Sequence, residues 1–309
     1  MIIKEYTDNF FDNSKALKIY NSYEPYYLYE MKRYYEKNII ECIDALDTDL
    51  DVYLKSFKNV KYIRLNSDSV HVEEVNKLSH LNGIALCNNQ LKEIDDKILE
   101  KIEYLEIDYL EKKQVDFKQF KSLKHLRLNN YPFEQFEIDT ELISLSIDKA
   151  PKIKILNGIN TQSLIKIELE NLTKLETIDL KCNKLKSFDI YDSKKISNLE
   201  KFLEKCKNLT EIAITSYSDL NAVLNSIGFI KNLEQLEYFR TNFKIMDGDL
   251  VPLLKLKDAV ICKFYKNYNL NDKELPHTMV WIQEGNIGKT VRLDSLELGK
   301  EDPRICWYN

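Results

Sequence analysis

The chain has 309 residues, 44% of them apolar, and 45 basic against 50 acidic side chains leave a net charge of only -5. That is enough apolar surface for a continuous core, while the near balance of signs argues against a general nucleic-acid binder, which carries a basic surplus. Nowhere do 18 apolar residues run together, and Met1 to Phe11 holds no apolar run of signal-peptide length, so the expectation is a soluble, cytoplasmic protein with no membrane partner. Cys42, Cys87, Cys182, Cys206, Cys262 and Cys306 are scattered without a C-x-x-C pair. They read as reduced thiols that pack as small hydrophobes.

Residues 1–57 differ from the rest, holding nine of the 19 Tyr and 11 acidic against 7 basic residues. Pro25 suits the first turn of a helix, and Leu28, Met31, Tyr35, Ile39, Cys42 and Leu46 follow at steps of three or four. A second short helix begins near Thr48 and carries Leu50, Leu54 and Phe57. The segment is therefore expected to be a helical N-terminal cap over the first repeat. Its tyrosines at 23, 26, 27, 29 and 34 offer a second docking surface, as an adaptor in a larger assembly would need.

From Phe57 one frame recurs. Phe57-Lys-Asn-Val60-Lys-Tyr-Ile63-Arg-Leu65 matches Phe120-Lys-Ser-Leu123-Lys-His-Leu126-Arg-Leu128. Cys206 to Ile214 and Ile230 to Tyr238 repeat it. Taking the first apolar residue of each unit gives 60, 81, 102, 123, 142, 164, 185, 209, 233 and 256, at steps of 19 to 24 residues. In Leu81 to Ile94, apolar residues at offsets 0, 3, 5, 10 and 13 accompany Asn89 at offset 8, and Leu175, Ile178, Leu180, Asn183, Leu185 and Phe188 follow the same line. This is the L-x-x-L-x-L-x-x-N-x-L pattern, and over residues 58–262 the chain resembles the leucine-rich repeat family.

The resemblance implies an α/β solenoid with a curved parallel sheet on its concave side, whose role is to bind other macromolecules. The chain departs from the family at offset 8, where most units carry something other than Asn, such as Asp68, Leu110, Tyr131 and Ala150. On the convex side, the strand-like pieces Ile153 to Ile155 and Leu175 to Leu180 predict extended chain. After residue 195 the spacing of Ile196, Leu199, Leu203 and Cys206, and of Leu220, Val223, Leu224 and Ile227, predicts helix. Residues 263–309 read as a β-rich C-terminal cap, with strands at Met279 to Ile282, Val291 to Leu293 and Arg304 to Tyr308.

Several chemistries are set aside. Gly285 to Thr290 ends like a phosphate loop, but position 283 is Gln where the motif needs Gly. Asp47, Asp49 and Asp51 imitate a calcium loop, but Val52 stands where Gly is required and Lys58 where the bidentate Glu belongs. His71, His80, His125 and His277 have no paired spacing, so neither metal nor cofactor is expected. Cys306 is fourth from the end, yet the aromatics after it fit prenylation poorly. An effector enzyme with a Cys-based site is the alternative of another class.

Alternate residues of each x-x-L-x-L strand point outward. The candidate partner-binding residues are therefore Tyr62, Arg64, Tyr104, Glu106, Asp108, His125, Arg127, Asp148, Lys166, Glu168, Glu170, Asp189, Tyr191, Glu211, Glu237 and Phe239. Eight are acids and three are Lys or Arg, although the whole chain is nearly balanced. The expectation is an acidic concave face that steers and holds a basic protein partner, as a non-catalytic scaffold would. A bacterial antitoxin or immunity protein is the role that this reading fits by analogy.

Overall fold

A computed structural model describes residues 60–261 apart from 66, 68, 70, 139, 159, 194–195 and 217–221, together with Leu54 and residues 267–270. Of residues 16–19, 42–45, 279–284 and 287–292 it describes the backbone alone. The strands, in chain order, are β1 (Ala16–Ile19), β2 (Cys42–Ala45), β3 (Tyr62–Leu65), β4 (Gly83–Cys87), β5 (Tyr104–Asp108), β6 (His125–Asn129) and β7 (Gln135–Ile138). They continue with β8 (Ser144–Asp148), β9 (Ile155–Gly158), β10 (Lys166–Glu170), β11 (Thr177–Asp179), β12 (Ser187–Tyr191) and β13 (Glu211–Thr215). The last are β14 (Val223–Leu224), β15 (Tyr238–Thr241), β16 (Lys244–Ile245), β17 (Asp258–Ile261), β18 (Met279–Glu284) and β19 (Ile287–Arg292).

Fourteen of them form one sheet in the order β1-β2-β3-β4-β5-β6-β8-β10-β12-β13-β15-β17-β18-β19, parallel except for the final antiparallel pair β18–β19. A second, three-stranded parallel sheet, β7-β9-β11, runs behind it, and β14 pairs with β16. Each turn of chain thus adds one strand to the concave sheet and returns behind it, the architecture of a leucine-rich repeat solenoid.

The frame that recurs in the sequence becomes rows of buried side chains. Val60, Leu81, Ile102, Leu123, Leu142, Leu164, Leu185 and Leu209 stack just before the strands, and Ile63, Ile84, Leu105, Leu126, Leu145, Ile167, Phe188 and Ile212 stack within them; all are buried. Each such side chain contributes about 1.5–3 kcal/mol through its burial. Between units, the carbonyl preceding each strand accepts two N–H groups of the next unit: Lys61 O from Asn82 and Gly83, and Glu103 O from Lys124 and His125. Thr210 O and Glu237 O continue this relay.

That relay corrects the last units. The sequence frame puts Leu233, Leu236 and Tyr238 in the three core rows, but Tyr238 pairs with Glu211 and Phe239 with Ile212. The core set is Leu236, Phe239 and Thr241, shifted by three, and Phe239 has no exposed surface. Both sets have the same spacing; the structure takes the one that buries a Phe ring and leaves Tyr238 half-exposed.

The turns after the strands depend on offset 7 rather than the expected offset 8. Asn130, Lys149, Asn171 and Asp192 occupy it with φ of 57°, 51°, 58° and 48°. Their backbone N–H groups reach the next strand's end at Asp148, Glu170, Tyr191 and Thr215 O. Asn and Asp tolerate this left-handed conformation best. Likewise Asn88, not Asn89, holds its turn: its side chain accepts from Leu110 N and Glu111 N and donates to Glu111 O and Lys113 O.

Convex expectations are met in part. The extended pieces are β9 and β11, and helix α1 (Leu199–Lys205) follows as the spacing of Leu199 and Leu203 predicts. Val223 and Leu224, read as helical, instead form β14; Val223 is 48% exposed, so no single helical face is buried there. At the start, Cys42, placed on a helix by the sequence reading, opens strand β2, which pairs with β3 at Cys42↔Tyr62 and Ile43↔Ile63. Ile40, Ile43 and Ala45 have the three-then-two spacing of a repeat unit, which competes with the helical stripe. Of the second expected helix only Leu54 is described, helical and buried in the core; the other expectations for residues 1–57, among them the tyrosine surface and the acidic triplet, lie outside the described residues, as does Arg304 to Tyr308. Two of the three expected C-terminal strands are present, as β18 and β19.

Candidate functional site

The outward residues of the concave sheet form three columns across the strands. The middle column runs Arg64, Ala85, Glu106, Arg127, Ser146, Glu168, Asp189, Ala213 and Arg240, fixed by the pairing of successive strands. Neighbouring positions in such a column are about 4.8 Å apart.

Over β3–β6 the acid is answered. Glu106 accepts from Tyr104 Oη at 3.0 Å, from Asn129 Nδ2 at 3.0 Å and from Arg64 Nη2 at 3.4 Å, with Arg127 Nε at 4.0 Å. Arg64 reaches it across Ala85, the small residue on the strand between. Gly83 leaves similar room, since a Cβ there would lie 2.6 Å from the Tyr62 ring. Burial, then the Glu106 charge, pushes the Tyr104 hydroxyl far above its usual range. His125 holds Ser144 Oγ at 2.8 Å, and burial lowers its pKa, which favours the neutral ring. Asp108 accepts from Asn130 Nδ2 at 2.6 Å.

Over β10–β15 the balance differs. Arg127, Ser146, Glu168, Glu170, Asp189, Tyr191, Ala213, Thr215 and Arg240 line a trough of about 350 Å³. Lys166, buried, pairs with Glu168 on its own strand. Asp189 is partly buried on the floor. No hydrogen bond or ion pair from the described residues reaches its carboxylate, and burial, then the Glu168 charge, pushes its pKa up to about 6. Burial and then Asp148 raise that of Glu170 as well. Asp148, which accepts from Asn171 Nδ2 at 3.1 Å, and Glu211 complete the acidic set.

Fourteen of the sixteen sequence-derived candidates therefore lie on this face. Two do not. Glu237 precedes β15 at the position of Thr210 and pairs with Lys257 beside the sheet, and Phe239 is core. The same shift of three hid Tyr238 and Arg240, which take their places; the spacing from Leu236 to Leu256 is the signal that finds them.

Among the described residues no cluster of His, Cys, Asp or Glu is arranged to hold a metal ion, and no helix is long and apolar enough to cross a membrane. Cys87, Cys182 and Cys206 are buried and form no disulfide. Burial raises the Cys206 thiol to about 12 and Cys182 further, so neither is a ready nucleophile.

No family model matches the chain, and no curated protein matches it. Among solved structures, an internalin (inlF) from Listeria monocytogenes is similar at 12% identity and a TM-score of 0.34, with 73% of this chain and 81% of that one covered. TLR13 in its complex with ssRNA13 is similar at 10% identity and a TM-score of 0.36, with 81% of this chain and 52% of that one covered. The fold itself stands on the strand register described above.

Proposed function

For this leucine-rich repeat solenoid we propose a non-catalytic binding role, in which the concave face over β8–β13 holds a basic protein partner. The observation that carries it is Asp189, partly buried at the trough floor without a hydrogen-bonding partner, with Glu168 and Glu170 beside it in the lining and Glu211 on the next strand. Keeping a carboxylate partly buried without a hydrogen-bonding partner costs folding free energy, a cost that a bound cation offsets. A surplus of acids along a concave wall also steers an oppositely charged partner and disfavours phosphate backbones. A bacterial antitoxin or immunity protein that masks a basic domain fits this reading; the role comes by analogy rather than from any residue here.

The test is affinity capture from the native cell extract at low and high salt, with wild type beside a Glu168→Lys, Glu170→Lys variant. A basic protein taken by wild type, shed at high salt and lost from the variant supports the reading. The same proteins retained by the variant would overturn it.

A further inference from the structure

We propose that the trough between β6 and β15 is a receptor for one arginine side chain of the partner, with the guanidinium seated on Asp189 and Glu168 and stacked against Tyr191. The inference rests on the docking reading above and gives that face its anchor point.

Charge points to a cation as the occupant. The groups that act on Asp189 are Glu168 and Lys166 of β10, Glu211 of β13 and Arg240 of β15: two acids and two bases. They offset one another, and Asp189, with Glu170 also in the lining, leaves surplus negative charge that a cation offsets.

Shape then selects among cations. The space, about 350 Å³, is at the small end of ligand sites and accepts a side chain rather than a helix or a strand. Ser146 and Ala213 are the small residues that open it, each between a longer charged side chain and its neighbour in the middle column. Asp189 and Glu168 are directly paired across β12 and β10, so the two acids leave the sheet about one strand spacing apart. A planar guanidinium presents five donors in a fixed fork and bonds two carboxylates at once; an ammonium is a point charge that remains better hydrated. Tyr191 lines the same wall, and an aromatic ring is a surface on which a guanidinium stacks favourably. Arg127 does not fill the site from within, because it is directed at Glu106 and Asn129.

The test uses the full chain and capped tripeptides of the form acetyl-Gly-X-Gly-amide, titrated at pH 7.5 and followed by protein NMR shifts. With X as arginine, saturable binding of roughly millimolar affinity is expected; with lysine it is at least about fivefold weaker, and with citrulline, the neutral isostere, it is absent. Asp189→Asn should weaken the arginine peptide at least about tenfold, while Glu237→Gln, which lies off the sheet, should leave it unchanged. Thermal melts of both variants confirm that they are folded.

Equal binding of the arginine and citrulline peptides would overturn the inference. So would free arginine binding much more tightly than the capped peptide, because that marks a small-molecule site with a carboxylate contact. If no tripeptide binds but a basic partner still needs Glu168 and Glu170, the docking reading stands and the arginine receptor falls.

Discussion

Two acids on one face, Glu106 and Asp189, occupy the same column and yet meet opposite fates. Glu106 is only 14% exposed but is met by Tyr104, Asn129, Arg64 and Arg127, which makes it part of the scaffold. Asp189 is similarly enclosed and meets no such partners. In the first half of the concave sheet the central acid is met by its neighbours, and in the second half Asp189 has no hydrogen-bonding partner. A tally of acids and bases along the sequence treats the two alike; only the order of side chains across the strands separates them.

The comparison breaks first at the register that creates it. If Phe239 belongs to the core and Arg240 to the trough wall, Phe239→Ala should destabilise the protein by about 3–5 kcal/mol in urea unfolding. A change below about 1 kcal/mol would return Phe239 to the surface and remove Arg240 from the trough.

Neutralising each acid then gives opposite signs. Burial, then the Glu168 charge, pushes the folded-state pKa of Asp189 up to about 6, above the ordinary aspartate range near 4. The native state therefore holds that proton more tightly, and the associated stability is present below about pH 4 and is lost as pH rises through about 6. Asp189→Asn should accordingly stabilise the fold by on the order of 2 kcal/mol at pH 7.5, with the gain vanishing near pH 4. Glu106→Gln should instead cost about 1–2 kcal/mol at pH 7.5, since Arg64 and the Tyr104 hydroxyl lose a charged acceptor. Paired unfolding curves of the two variants at both pH values check this.

The smallest effect belongs to Glu237, whose ion pair with Lys257 lies at the surface. Glu237→Lys should move stability by no more than about 0.5 kcal/mol and leave partner capture intact. A loss of capture would put it back on the docking face.

Much of this was legible in the sequence. The three-then-two spacing of Leu105 and Ile107 or of Leu145 and Ile147 after Ile102 and Leu142 gives the buried rows directly, because burial on one side of a strand imposes that spacing. It failed where spacing repeats itself. Leu233, Leu236 and Tyr238 imitate Leu236, Phe239 and Thr241, and the polar Thr241 in the true third row makes the correct frame look the poorer one. Cys42 failed for a related reason, since a stripe at three and four passes through Ile39, Cys42 and Leu46 while Ile40, Ile43 and Ala45 carry the repeat. The pairing of Arg64 with Glu106 spans 42 positions and depends on Ala85 being small, which no local pattern reveals.

The most direct test of the unpaired acid is an NMR titration of the Asp189 side-chain carboxyl in the full chain, assigned by comparison with Asp189→Asn. The account expects a midpoint of about 6 in the free protein, falling when the arginine tripeptide is bound. A midpoint in the ordinary aspartate range near 4, unchanged by the peptide, would mean that the carboxylate is already solvated or paired, and the trough would lose its claim as the binding site.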